Sequence, residues 1–257
     1  MMKKRIAVWI LFGAILLAGL VYLVPVVLTV IGSFLLNGKV SGVGYRTLFF
    51  HCFPFYRMFW NSVLYAFSVT VGAVLIAIPA AYGFRFAKFP GKNVLYVIYI
   101  ILMMMPLQVM ILPNYIGLRD LKLLNTPFAI IVPLLFSPLA VVVLHQYLRE
   151  CDVAVVEAAR LETNSCLKVI WHCIVPQLKV CIFAVGLLIF AETWNLVEQP
   201  LLYLNEDKWR NLSLLFSESE RYEAEVLLPA AVLFMVPVLL WYLLFRDELK
   251  KGLRLNG

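Results

Sequence analysis

The sequence predicts an all-α integral membrane protein of six transmembrane helices, and three observations carry that prediction. Of 257 residues, 63% are apolar and 14% are charged, and the mean hydropathy of +0.90 lies far outside the range of water-soluble domains. The apolar residues fall in long uninterrupted runs of the length a bilayer requires. The lysines and arginines gather at the ends of those runs, where they act as topology signals rather than as a basic face. That placement, and not the formal charge of +7, argues against nucleic acid as a partner.

A hydrocarbon core about 30 Å thick takes about 20 apolar residues per helix, and six runs meet that length: 6–31, 61–84, 94–113, 127–148, 174–197 and 226–245. The first follows Met-Met-Lys-Lys-Arg; it is too long for a signal-peptide core and has no small-x-small cleavage pattern, so it reads as a retained helix. The second opens on Asn61-Ser62 and stops before Arg85. Gln108 lies in the third, between Pro106 and Pro113, and Arg149 closes the fourth. The fifth carries Glu192, Trp194 and Asn195, with Glu198 just beyond it, and Arg246 closes the sixth. Pro25, Pro79, Pro106, Pro113, Pro133, Pro138 and Pro237 lie in or beside these runs, as ordinary membrane-helix kinks or as bends lining a pathway. No internal repeat or Gly/Ser linker divides the chain, so residues 1–257 are expected to form a single transmembrane domain.

An even number of spans puts both termini on one side, and the Lys/Arg balance selects that side. Fourteen lie on the terminal face (Lys3, Lys4, Arg5, Arg85, Lys88, Lys92, Arg149, Arg160, Lys168, Lys179, Arg246, Lys250, Lys251 and Arg254), against eight on the other. Both termini are therefore expected in the cytoplasm.

The connection between the fourth and fifth runs, about 149–175, differs from the others. It is too polar to span and too patterned to be slack. Small and apolar residues from Val153 to Leu161 favour a short helix, with Glu157, Arg160 and Glu162 interspersed. Thr163, Asn164 and Ser165 are poor helix-interior residues and good caps, so they mark a break and a new start. By pattern alone this is either a stiff cytoplasmic knob or an amphipathic hairpin on the membrane surface.

Glu157-Ala158-Ala159, then Leu161 and Glu162, then Ile174-Val175-Pro176, resemble the EAA motif of the permeases of ABC importers. The likeness extends over most of the chain: Asn61-Ser62, Ala80-Ala81-Tyr82-Gly83-Phe84 with the basic segment after it, Pro106-Leu107-Gln108-Val109, Leu123-Leu124-Asn125-Thr126, Ser137-Pro138 and Trp194-Asn195 are similar to the carbohydrate-uptake, maltose-type, binding-protein-dependent branch. The resemblance implies a type I ABC importer permease fold in a bacterial cell membrane. It implies that Glu157, Ala158, Ala159, Leu161, Glu162 and Thr163 form a coupling helix docking on a cytoplasmic ATPase. The family usually has glycine where this chain has Thr163, which leaves the tightness of that turn as a question for the structure.

The expected function is import of sugars or polyol-like solutes by alternating access. The chain carries no GxxxxGK[ST] phosphate loop, so ATP and Mg are expected on a partner ATPase dimer. A second homologous permease subunit and an extracytoplasmic solute-binding protein complete the expected partners, and no cofactor is expected on this chain. Carboxylates at membrane depth face protein or water by default; Glu192, Trp194, Asn195 and, more weakly, Gln108 are the substrate-pathway candidates, with Trp194 readable as a stacking face for a sugar ring or as plain packing. His51, His145 and His172 are scattered, and Cys52, Cys151, Cys166, Cys173 and Cys181 have no metal-ligand spacing, so no metal site is expected. Neither HExxH nor GxSxG occurs, which argues against an intramembrane enzyme. An energy-independent channel or secondary carrier is the competing reading; it leaves the 149–175 connection unexplained.

Overall fold

A computed structural model describes residues 2–36 and 39–254, with side chains described for 12–35 and 39–247. The side chains of Lys3, Lys4, Arg5, Lys250, Lys251 and Arg254, which weigh in the expected orientation, lie outside the described residues. The elements in order are α1 (Met2–Ser33), the two-residue strands β1 (Leu35–Leu36) and β2 (Lys39–Val40), α2 (Val43–Phe50), α3 (Phe53–Phe86), α4 (Lys92–Met104), α5 (Leu107–Asp120), α6 (Phe128–Leu135) and α7 (Pro138–Glu150). There follow α8 (Val153–Glu162), α9 (Cys166–Val169), a π turn (Ile170–Ile174), α10 (Val175–Trp194), α11 (Glu198–Tyr203), α12 (Leu212–Ser217) and α13 (Ala224–Arg254).

Among the described residues, five helical stretches are long and apolar enough to cross a membrane: Phe12–Ser33, Phe53–Phe86, Phe128–Glu150, Cys166–Trp194 and Ala224–Asp247. The third expected span is not one helix. It divides into α4 and α5, which meet at 104°, and counts as a sixth crossing only as a broken one. The cause is Pro106, whose ring disfavours the helical state of the residue before it and which has no N–H to continue the ladder. Met105 is accordingly extended, at φ −70° and ψ 129°. The fifth helix begins at Cys166, earlier than the run starting at Ile174, because α9 continues through the π turn into α10. Pro176 stands just after that turn; the wider π ring accommodates a proline that a regular α ladder would clash with.

The chain forms two compact units. The first comprises Met1–Tyr56 and Glu218–Pro237. Here Gly44 of α2 lies against the start of α13 so closely that a Cβ would sit 2.6 Å from the Glu225 carbonyl oxygen and 3.1 Å from Pro229. Small residues at such crossings let backbones approach where lipid offers no hydrophobic drive. Thr47 Oγ1 donates to Glu225 Oε1 at 3.4 Å, and Ser33 Oγ lies 2.9 Å from Tyr45 Oη. Gly44→Val is expected to cost about 1–3 kcal/mol by overpacking, read as a drop of several degrees in the detergent melting temperature; an unchanged melting temperature would refute the tight crossing.

The second unit comprises Arg57–Ser217 and Val238–Gly257. Val69, Ala73, Ala77 and Ala81 recur every fourth residue down one face of α3 and are buried in a cluster with Leu144 and Leu148 of α7 and Leu178, Val185 and Ile189 of α10. A second cluster joins Tyr65, Leu118, Ala129, Ile130, Leu196, Tyr203 and Leu204. Around it the polar residues that open the second span serve the backbone. Asn61 Nδ2 donates to the Lys208 and Arg210 carbonyls, both at 2.9 Å, and Tyr65 Oη donates to Trp209 O at 2.7 Å. Ser62 Oγ accepts from Leu212 N at 2.8 Å. Asn125 takes a left-handed conformation at φ 59°, which asparagine tolerates better than most residues, and its Oδ1 accepts from Asn205 N at 2.6 Å.

Candidate functional site

Two places in the second unit carry functional geometry, and the first is the 149–175 connection. Asp152 caps α8 by accepting from Ala154 N at 2.9 Å, a short-range signal at the start of the helix. At the other end Thr163 is extended, at φ −147° and ψ 135°, while its N–H donates to Ala159 O. Any residue adopts that geometry, so the helix stops without a left-handed glycine and the question raised by Thr163 is answered locally. Ser165 then caps α9 by accepting from Lys168 N at 3.5 Å. The break and restart fall at the residues whose chemistry predicts them.

α8 is fastened along one side and open along the other. Val156 is fully buried in the main cluster. Arg160 donates from Nε and Nη2 to Tyr82 Oη at 3.1 and 2.9 Å, and its guanidinium lies over the rings of Phe86 and Tyr82 at 5.3 and 5.5 Å. Both rings belong to the last turns of α3, so a cation–π contact and two hydrogen bonds tie the short helix to a membrane-spanning one. Glu157, Ala158, Leu161 and Glu162 are exposed, with Leu161 at 90% and Val155 at 48%. Ala154, Glu157, Ala158 and Leu161 are spaced to share one helical face, an apolar strip carrying a carboxylate. At the base of α8, burial and the neighbouring Glu150 push the Cys151 thiol above its ordinary range, so it stays protonated at neutral pH.

The second place is a cavity of about 520 Å³ bounded by the two broken segments. Met105 and Leu107 at the α4–α5 break, Phe136, Ser137 and Pro138 at the α6–α7 break, and Glu192 and Thr193 of α10 line it. Irregular backbone at membrane depth is tolerated where it is buried in protein or lines a cavity, and here two proline breaks share one. Asn114 and Gln199 add polar groups to the wall; Gln199 is 1% exposed and its Oε1 has no hydrogen-bond partner among the described residues.

The other pathway candidates lie elsewhere. Trp194 is fully buried, stacked with Phe190 at 5.7 Å and edge-on to Phe59 at 5.9 Å, which makes it a core residue and not a wall of this cavity. Asn195 Nδ2 donates to Ala191 O at 2.7 Å, closing its own helix. Gln108 Nε2 donates to Glu198 at 3.2 Å, an exposed contact outside the cavity wall. Asn114, Ser137, Thr193 and Gln199 were not expected from sequence. The signal that would have found them is the pairing of Pro106 with Ser137-Pro138, since breaks facing each other imply a space between them.

The family described as "Binding-protein-dependent transport system inner membrane component" matches residues 73–254. Among curated proteins, the chain is 26% identical over 272 residues to the arabinooligosaccharides transport system permease protein AraQ of Bacillus subtilis (strain 168), covering 98% of this chain and 95% of that protein. It is 29% identical over 167 residues to the sn-glycerol-3-phosphate transport system permease protein UgpE of Salmonella typhi, covering 65% of this chain and 58% of that protein. Among solved structures, a crystal structure of a bacterial ABC transporter involved in the import of the acidic polysaccharide alginate superposes with a TM-score of 0.80 at 20% identity, over 93% of this chain and 96% of that one.

Proposed function

We propose a specific role for a chain that belongs to the family of binding-protein-dependent transport system inner membrane components: it is one of two permease subunits of an ATP-driven importer of neutral carbohydrate. The chain is a multi-pass membrane component of a transport system that depends on a solute-binding protein. The finer reading places α8 in a groove of a separate cytoplasmic ATPase, both termini on that side, and a homologous permease across the pathway. The observation that supports it most is α8 itself: held by Val156 and Arg160, it leaves Glu157, Ala158 and Leu161 exposed. A short helix so fastened moves with the membrane helices, which is what coupling to ATP-driven closure requires.

The solute class follows from the cavity. Its polar wall consists of Glu192, Thr193, Ser137, Asn114 and Gln199, and among the described residues no lysine or arginine lines it. A phosphate or carboxylate there would meet Glu192 uncompensated in a low-dielectric setting, whereas hydroxyl groups donate readily to a carboxylate and to the Gln199 carbonyl. A neutral sugar or oligosaccharide suits this chain's side of the wall.

The experiment is affinity purification of the tagged chain from membranes in mild detergent. An ATPase and a second six-span permease are expected with it; repeated recovery of the chain alone would favour an energy-independent carrier. Glu192→Gln tests the solute class, with uptake of a neutral oligosaccharide at low concentration expected to fall about tenfold for one lost charge-assisted hydrogen bond. Unchanged uptake would put Glu192 off the pathway.

A further inference from the structure

We propose that a second, smaller pocket, closed by the ends of α3, α4 and α7, binds a phosphate oxyanion at the membrane–water boundary. The pocket measures about 250 Å³, and Arg85, Lys92, Asn93, Tyr96, His145 and Arg149 line it. Three cations converge there, and among the described residues no carboxylate lines the wall. Among the described residues none of the three has an ion pair: Lys92 Nζ donates to the Ala87 carbonyl at 3.1 Å, and the Arg85 guanidinium lies 5.6 Å from the Phe86 ring centre. Cations placed together without counter-charge repel, and the arrangement is stable when an anion completes it.

Buried hydrogen-bonding groups in the same wall point to the kind of anion. His145 is 8% exposed and, among the described residues, its Nδ1 has no hydrogen-bond partner; Arg85 Nε and Tyr96 Oη are likewise buried without one. The His145 and Tyr96 rings lie 4.4 Å apart. Each unsatisfied buried polar atom costs on its own, and three of them in one pocket mark a missing partner. Arg85 Nε and Tyr96 Oη both offer a hydrogen, and His145 does so in its Nδ1–H tautomer. The pocket also receives the first residues of α4, whose N-terminus has no side-chain cap and so adds the positive end of a helix dipole. A tetrahedral phosphate, with several acceptor oxygens and full negative charge, answers all of these donors together.

Two sources supply that group. Arg85 and Arg149 occupy the last residues of the spans Phe53–Phe86 and Phe128–Glu150, so the pocket lies where lipid headgroups lie, and an anionic phospholipid reaches it from the side. Free phosphate reaches it from water. The same segment adds Lys88 nearby, on the α3–α4 connection. None of the residues that line this pocket lines the larger cavity, and its occupation bears on how α3, α4 and α7 are held together.

The test uses the full chain with the subunits that co-purify, placed in nanodiscs of phosphatidylcholine with or without phosphatidylglycerol. Native mass spectrometry is expected to show phosphatidylglycerol retained on the wild type and reduced roughly tenfold in Arg85→Gln, for one charge-assisted contact; this supports the site with a lipid headgroup in it. If instead millimolar inorganic phosphate raises the melting temperature in pure phosphatidylcholine, and does so for the wild type but not for Arg85→Gln, the site is upheld with free phosphate as its ligand. Equal lipid retention and equal phosphate response in wild type and variant overturn it. Should Arg85→Gln fold poorly, Arg149→Gln at the exposed rim gives the same comparison, and Arg119→Gln, an exposed cation beside Asp120, controls for charge alone.

Discussion

Glu157→Lys is expected to abolish ATP-driven uptake while leaving the chain inserted and folded. Glu157 is exposed, so the variant disturbs no internal packing, and α8 keeps Val156, Arg160 and its Asp152 cap. What changes is the exposed face of α8, which on the proposed function is the one offered to the ATPase. Reversing a charge inside a docking interface costs on the order of 3 kcal/mol, a weakening of about 100-fold. Pull-down of the ATPase should therefore fall below detection while the membrane level of the chain holds. Normal pull-down by the variant would sink the assignment of α8. The companion change Arg160→Gln separates docking from anchoring: it loosens the tie to Tyr82 and should lower uptake with the ATPase still bound.

Trp194→Ala is expected to be the most damaging single truncation within the membrane. The side chain is fully enclosed between Phe190 and Phe59, and Phe190 is itself stacked on Trp241 at 5.1 Å. Removing an enclosed tryptophan leaves a cavity costing about 3–5 kcal/mol, read as loss of folded protein in detergent. Trp194→Phe keeps the stack and should restore folded protein with uptake near normal. A stacking platform for sugar would behave otherwise, with normal folding in both variants and a defect confined to transport.

Composition and charge placement made the class of protein legible, because the bilayer imposes one length and one chemistry on every spanning helix. The cap chemistry of Thr163, Asn164 and Ser165 acts over two or three residues, so the end of α8 and its break were legible too, whereas the Asp152 cap at its start went unread. Pro106 announced a disturbance but not its size: a kink and a 104° turn have the same local sequence, and tertiary packing chooses between them. Trp194 and Glu192 stand two positions apart, and only the rotation of α10 within the fold decides that one is enclosed and the other faces a cavity. Asn61, Ser62 and Asn125 read as signature residues; their work is to hold carbonyls and amides of the 203–212 segment, a role invisible without knowing what lies opposite.

The π turn at Ile170–Ile174 has a consequence in angular phase. One residue more than an α turn requires retards everything after it by about 100° relative to a regular helix. Val169 and Ile170, packed with α8, lie on one side of that offset, and Glu192 and Thr193, at the cavity, lie on the other. The single extra residue thus sets the azimuth of the cavity wall relative to α8, so a one-residue deletion within 170–174 would shorten the span by only one residue and yet aim the Glu192 carboxylate elsewhere.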